Sequence, residues 1–545
     1  MKTKTIIFLL FFSTIIYSTN YHVGPNQQFT TISDVPWATL QAGDRVYIHW
    51  RATPYKEKWV INRQGTAAHP IEIIGVSNSQ GQQPIIDGND AVTVANVNYW
   101  NEKRGVIKIG GSNIPTDGLP TYITIENLKI RAAHPYYQFT NDSGQTETYA
   151  SNAASIYIEK GANIIIRNCT LHDSGNGLFI GAFEGQTENI LIEKNYIYGN
   201  GINGSYYEHN TYTSAINITY QFNRFGNLRT GAGGNNLKDR SAGLIVRNNW
   251  IEGGNRQLDL VDSGVPEVAN HPNYNTTHVY GNVLIEPDGA GNSQIVHYGG
   301  DSGSLSGYRK GDFYFYNNTI ISTRNGNTTL IRLSTNDETA HVFNNVIYTT
   351  ASGNQFAMIE GSGTFNMNNN WLKTGWQDCF CSPNGTINDL GNNITGTDPL
   401  FEHFDNQLFN LQETSPLINQ GVIIPSILLP DYDIFFEYVK HQDATNRFIS
   451  SNIDIGAFEY DEELSINDEL FHNTISITPN PTSSVFTIII NNDILKNAVI
   501  YNQLGQKIKE VTTNEVDVSR LSNGIYFVKI TSESEKTTAK KFIKN

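Results

Sequence analysis

The segment from His209 to Asp262 gathers side chains able to do chemistry in a chain otherwise rich in Asn, Gly, Thr and aliphatic residues. It opens on His209-Asn210-Thr211-Tyr212, continues through Asn235-Asn236-Leu237-Lys238-Asp239-Arg240, and closes on Leu258-Asp259-Leu260-Val261-Asp262. A later phrase, Gln294-Ile295-Val296-His297-Tyr298, has the same texture. Lys, Arg, His and Tyr together suit eliminative cleavage of a polysaccharide that carries uronic acid. The C5 proton of a uronate lies α to a carboxylate and is weakly acidic. A cation that neutralises the carboxylate makes the enolate-like intermediate tolerable. A base then takes the proton and an acid protonates the leaving oxygen. In this scheme Lys238 is the candidate base and Arg240 neutralises the uronate, with His209 and Tyr212 as further acid or base groups. Asp259, Asp262, His297 and Tyr298 are expected to bind substrate.

The same residues allow plainer readings. A Lys-Asp-Arg triplet on a strand is often a solvated face with a local ion pair. His209 can bond to loop backbone, Tyr212 can simply pack, and Asp259 and Asp262 can be turn or ladder residues. Two other functions stay open. A glycoside hydrolase would draw two or three carboxylates from Asp239, Asp259, Asp262 and Asp301, although no Asp-Asp pair occurs there. A non-catalytic, adhesin-like solenoid that binds glycans would leave Lys238 dispensable. No calcium-loop motif is present, so no metal is assigned and no cofactor is certain; calcium stays open.

These groups need a scaffold, and a repeat supplies one. The pattern polar-Asn-(small or aromatic)-Leu/Ile recurs at Asn127, Asn168, Asn195, Asn249, Asn282, Asn318, Asn345 and Asn370. A fixed motif at spacings of roughly 20–50 residues marks a solenoid. Asn side chains stacked at one turn can bond to their equals above and below. The longest gap, Asn195 to Asn249, is expected to hold the largest insertion and hence the binding surface. Its aromatics, Tyr206, Tyr207, Tyr220, Phe222, Phe225 and Trp250, are expected to surround the site. Short strands follow each Asn motif, and strand alternation then turns Leu237, Leu258 and Val296 inward. Lys238, Arg240, Asp259 and His297 face outward on coils about 4.8 Å apart.

The expected fold is all-β: a single-stranded right-handed parallel β-helix over residues 21–460, an acidic linker over 461–470, and a small C-terminal β-sandwich over 471–545. Leu40-Gln41-Ala42-Gly43-Asp44-Arg45-Val46-Tyr47-Ile48 resembles the opening of secreted right-handed β-helix proteins, where a helix or loop caps the first rung. Phrases within 396–460, such as Asp454-Ile455-Gly456-Ala457-Phe458-Glu459, resemble their closing segment, which covers the last sheet edge. The alginate, chondroitin and pectate lyases of this shape are similar in using Lys and Arg on a sheet face. For catalysis that resemblance rests on Lys238 and Arg240 alone. Residues 475–545 closely resemble the C-terminal sorting domain of the type IX secretion system of Bacteroidetes, through Pro479-Asn480-Pro481, the strand before Leu504-Gly505-Gln506, and the run from Leu521 to Ile530. The resemblance implies export across the outer membrane, often with removal of the domain.

Whole-chain features agree with export. Lys2 and Lys4 precede the apolar run Ile6–Ile16 and the small residues Ser18 and Thr19, the pattern of a secretory signal over residues 1–20. That run is too short to span a bilayer, and no other long apolar run exists, so no transmembrane segment is expected. The net charge of −15 argues against nucleic-acid or anionic-membrane binding. The expected partners are an anionic polysaccharide and the type IX machinery, and the expected location is secreted or cell-surface. Three cysteines make no disulfide framework. Cys169 reads as a small buried hydrophobe and Cys379/Cys381 as at most a local bridge.

Overall fold

The computed structural model describes residues 18–382, 384–449, 451–460, 474–491, 493–502, 506–534 and 536–545. The signal over residues 1–20 (apart from 18–20), the acidic linker over 461–470 and the turn at 503–505 lie outside the described residues.

Three parallel sheets form the body of the protein, a first and a second of 13 strands and a third of 11. Each full coil gives one strand to each, so a coil carries three strands. In the central coils, Ile216–Gln221 and Ala242–Arg247 lie in the first sheet, Arg224–Phe225 and Trp250–Glu252 in the third, and Leu237–Asp239 and Leu258–Leu260 in the second. Pairing is in register from coil to coil, as in Leu237–Leu258–Val296. Those three side chains are buried and face the core, as alternation requires. The chain is thus an all-β parallel β-helix, with an apolar column inside and a different column outside each sheet.

The corner between the first and third sheets explains the Asn repeat. Its first position has positive φ in Asn168 (49°), Lys194 (55°), Phe222 (57°), Asn248 (49°), Gly281 (67°), Asn317 (48°), Asn344 (57°) and Asn369 (50°). Asn and Gly tolerate that left-handed conformation best. The second position is a buried Asn. Its Nδ2 donates to the Oδ1 of the next coil's Asn, from Asn195 to Asn223 (3.0 Å), Asn249 (2.9 Å), Asn282 (3.0 Å), Asn318 (3.0 Å), Asn345 (3.0 Å), Asn370 (3.0 Å) and Asn393 (3.1 Å). The same Oδ1 accepts the preceding coil's peptide N–H, as Asn318 does from Asn282. The ladder therefore satisfies backbone groups that the turn would otherwise bury unpaired.

Two expectations change here. Asn195 to Asn249 is two ordinary coils, of 28 and 26 residues, joined by Asn223; it holds no large insertion. Phe222 and Arg224 flank Asn223 and hide the motif. Asn127 and Asn168 occupy the left-handed position, and Leu128 and Cys169 stand where the ladder would continue. Cys169 is buried, and burial pushes its thiol up to about 12. Cys379 and Cys381 are disulfide-bonded.

The segment after residue 396 does not lie over the last sheet edge alone. It doubles back along the outside of the third sheet, where Phe401, Phe409, Leu417, Tyr438 and Phe458 pack on Trp250, Val283, Ile321, Val346 and Trp371. Asn248 Nδ2 donates to Phe436 O at 2.6 Å, and Asn344 O accepts from Gly456 N at 2.8 Å. Residues from Ile475 onward form two antiparallel sheets, of three and four strands, around a core that includes Phe486, Ile500, Val528 and Phe542. That is the expected small β-sandwich.

Replacing Asn318 by Ala would take the side-chain acceptor from the buried Asn282 peptide N–H, one of three acceptors from Asn282 Nδ2, and a donor from Val279 O. A loss of about 2–4 kcal/mol in urea unfolding is expected, and a change below about 0.5 kcal/mol, the usual size for a neutral surface change, would contradict the ladder's role.

Candidate functional site

The outer column of the second sheet runs Tyr157, Phe179, Tyr212, Lys238, Asp259, His297, Arg332, one residue per coil in Cα register. Neighbours in it are about 4.8 Å apart along the solenoid. Arg240 and Asp262 sit just beyond the strand ends, and His209 just before one. The structure therefore brings His209, Tyr212, Lys238, Arg240, Asp259, Asp262 and His297 onto one face. It does not bring Tyr298 there. As the residue after His297 in a strand, Tyr298 points the other way. Its ring stacks on Phe313 at 4.7 Å in the core, and its hydroxyl donates to Lys310 O at 3.1 Å.

Alternation also removes one carboxylate from the hydrolase set. Asp239 faces inward with no exposure. It accepts from Thr213 Oγ1 (2.8 Å) and Ser241 Oγ (2.7 Å) and pairs with the equally buried Arg309 at 3.4 Å.

On the outer face, charges interlock. Lys238 Nζ donates to Asp259 and, at 2.7 Å, to Asp301. Arg240 donates through Nη2 to both oxygens of Asp301 (2.8 and 3.1 Å), through Nε to Tyr212 Oη (2.9 Å), and through Nη1 to Asp262 O. Asp262 Oδ1 in turn accepts from the Asp301 and Ser302 peptides at 2.8 and 3.3 Å, which fixes the turn that carries Asp301. Asp259 also takes Asn235 Nδ2 (2.9 Å) and His297 Nδ1 (2.9 Å), with Arg256 at 3.8 Å. His297 Nε2 meets Ser334 Oγ at 2.9 Å.

Burial alone would raise the Asp259 carboxyl, but His297, Lys238 and Arg256 hold it well below the usual carboxylate range. Asp301 follows the same logic: burial raises it, while Lys238 and Arg240 bring it below its ordinary value. Burial lowers His297 despite its hydrogen bond to Asp259. His209 is fully enclosed, and burial, with Lys238 beside it, lowers it to about 3. Its Nδ1 accepts the Asn235 peptide N–H at 2.8 Å, so the neutral ring carries its proton on Nε2, and the ring stands edge-on to Tyr212 at 5.5 Å.

Asn235, Arg256, Asp301 and Ser334 complete the cluster, although the sequence reading gave none of them a place in the favoured site. Their coil-mates are separated by 21 to 63 residues in sequence, and only coil stacking makes them neighbours. The aromatic expectations shift too. Tyr206 and Tyr207 are exposed, but Tyr220 and Phe225 lie in the core and Trp250 lies beneath the C-terminal strap. Phe179 borders the cluster, edge-to-face against Tyr212. Among the described residues no group of three or more His, Cys, Asp or Glu is placed to hold a metal ion.

Residues 476–545 match the family described as secretion system C-terminal sorting domain. The chain thus carries the sorting signal for type IX secretion, to the cell surface or the extracellular space. No curated protein matches the chain. Among solved structures it is similar to a GH136 lacto-N-biosidase from Eubacterium ramulus, at 13% identity over 70% of this chain and 68% of that one, with a TM-score of 0.34. It is similar to a PL6 family alginate lyase at 13% identity over 72% and 58%, TM-score 0.28. It is similar to a pectin methylesterase from Aspergillus niger at 10% identity over 70% and 87%, TM-score 0.22. Among the described residues no helix is long and apolar enough to cross a membrane.

Lys238→Ala would leave Asp259, 2% exposed, without its closest cation. A destabilisation of about 3 kcal/mol is expected in urea unfolding, most of it recovered by adding Asp259→Asn. Equal stability of the single variant and the parent would mean that the pair is a solvated surface contact.

Proposed function

We propose that the chain is a carbohydrate-active enzyme that cleaves a uronic-acid-containing polysaccharide, alginate-like or pectate-like, by β-elimination. The observation that carries this reading is the convergence of Lys238 and Arg240 on one carboxylate that reaches solvent. Asp301 is the acid so held, and its side chain is 33% exposed while that of Asp259 is 3% exposed. It rides on the turn Gly299-Gly300-Asp301-Ser302-Gly303, where Gly299 and Gly303 take positive φ of 133° and 81°. A uronate carboxylate that displaces Asp301 meets the same ammonium and guanidinium. Both then neutralise charge as the C5 proton leaves.

The roles differ from those expected of the sequence. Lys238, donating to two carboxylates, offers no lone pair to a substrate proton, so it joins Arg240 in binding the uronate. Proton transfer passes to Tyr212: its phenolate takes the C5 proton, the bond from C4 to the glycosidic oxygen breaks as the double bond forms, and the phenol so made returns the proton to the leaving oxygen. The Tyr212 oxygen already accepts from Arg240 Nε, so the guanidinium faces the oxygen that carries the charge before the proton arrives. The enclosed, neutral His209 holds the Tyr212 ring from its edge. The hydrolase reading fits less well, because it needs one carboxyl with a raised pKa to protonate the leaving oxygen. Asp259 and Asp301 both lie below the ordinary range, and Asp239 is turned into the core.

Incubation of the full chain with alginate, pectate and chondroitin is expected to raise the ultraviolet absorbance of an unsaturated uronate. Tyr212→Phe should lower kcat by about 10²–10⁴-fold. Reducing ends without that absorbance would establish hydrolysis instead, and neither signal would favour a glycan-binding solenoid. A Tyr212→Phe enzyme at full rate would return the base role to Lys238.

A further inference from the structure

The outer column of the second sheet does not end at Tyr212. Towards the N-terminus it continues as rings: Phe179 lies edge-to-face against Tyr212 at 5.2 Å, and Tyr157 lies edge-to-face against Phe179 at 5.6 Å. Phe179 and Tyr212 are partly exposed. Over the far end of this row lies Arg104, its guanidinium carbon 4.6 Å from the Tyr157 ring centre and 4.5 Å from that of Phe179. The guanidinium forms no hydrogen bond or ion pair with any described residue, and its Nε and Nη2 are shielded from water without a partner. Two arginines elsewhere on the solenoid are neutralised, Arg131 by Asp87 at 2.7 Å and Arg229 by Asp173 at 2.5 Å. A guanidinium left with unmade hydrogen bonds on an aromatic floor is costly unless something supplies an acceptor.

We infer that Arg104, seated on the rings of the buried Tyr157 and of Phe179, forms a second anionic-sugar subsite, in which the guanidinium takes the carboxylate of one uronate while the partly exposed Phe179 and Tyr212 meet the pyranoses beside it. This rests on the reading that the substrate is a polyuronate. Two to three coils separate the subsite from Lys238, about 10–14 Å at one coil per 4.8 Å. That distance is bridged by an oligosaccharide and not by a single sugar. The chain of the substrate therefore lies along the solenoid axis, with one carboxylate at Lys238/Arg240 and a later one at Arg104. Guanidinium suits this task because its fork matches a carboxylate while its plane rests on a ring.

The test is direct binding of the full-length protein to oligoguluronates, oligomannuronates and oligogalacturonates of graded length, and to the same oligomers after reduction of their carboxyl groups. Arg104→Gln should weaken binding of the longer oligomers by about 10–100-fold and leave the shortest unchanged, with Arg104→Lys recovering part of the loss. Phe179→Leu, which leaves the charge in place, should weaken the same long oligomers. Equal binding by Arg104→Gln and the parent, an equal loss for short and long oligomers, equal binding of the carboxyl-reduced forms, or no binding of any oligomer would each overturn the subsite. The two readings fail separately. Arg104-dependent binding without an unsaturated product would remove the elimination and keep the subsite; product formation indifferent to Arg104 would do the reverse.

Discussion

Coil-to-coil register is the constraint on which everything else in this protein depends. Inside the corner between the first and third sheets, each buried Asn gives both its side-chain amide and its peptide N–H to the Oδ1 of the next coil's Asn. A slip of one residue would break both bonds and would turn every outward side chain into the core. The cost of such a slip is what keeps Tyr212, Lys238, Asp259 and His297 in one column. The site inherits its precision from the ladder: its side chains stand on strands or within two residues of one. Asp301 is the exception, since it comes from a glycine-rich turn.

That exception gives the site its character. Lys238, Arg240 and Arg256 face Asp259, Asp262 and Asp301, so the cluster is close to neutral as it stands. The buried part of it is permanent, because removing any one partner strands a charge away from water. The outermost carboxylate belongs to Asp301, and on the proposed reading its exchange for a substrate carboxylate would preserve the charge count. Binding of an anion in a chain of net charge −15 would then be local: the attraction would reside in two side chains and not in the overall field.

Much of this was legible from residue types. The Asn motif announced a solenoid, strand alternation put Leu237 and Leu258 inside and Lys238 and Asp259 outside, and the phrases of the last seventy residues announced the sorting domain that the family match identifies. What escaped had physical reasons. Asn223 was hidden because Phe222, an unusual residue, takes the left-handed position before it. Tyr298 was misjudged because one step along a strand reverses direction, and Trp250 because the strap that covers it arrives from residues 401–458. Asp301 and Arg256 carry no local signal at all. They become neighbours of Lys238 and Asp259 only when coils separated by loops of unequal length are stacked.

The central claim is that Lys238 and Arg240 are a carboxylate site that Asp301 occupies until substrate arrives. A crystal structure of Tyr212→Phe soaked with a uronate oligosaccharide tests it most directly. The account predicts a sugar carboxylate between Lys238 Nζ and Arg240 Nη2, with the Asp301 side chain moved out. A sugar bound with Asp301 still paired to both cations would contradict it.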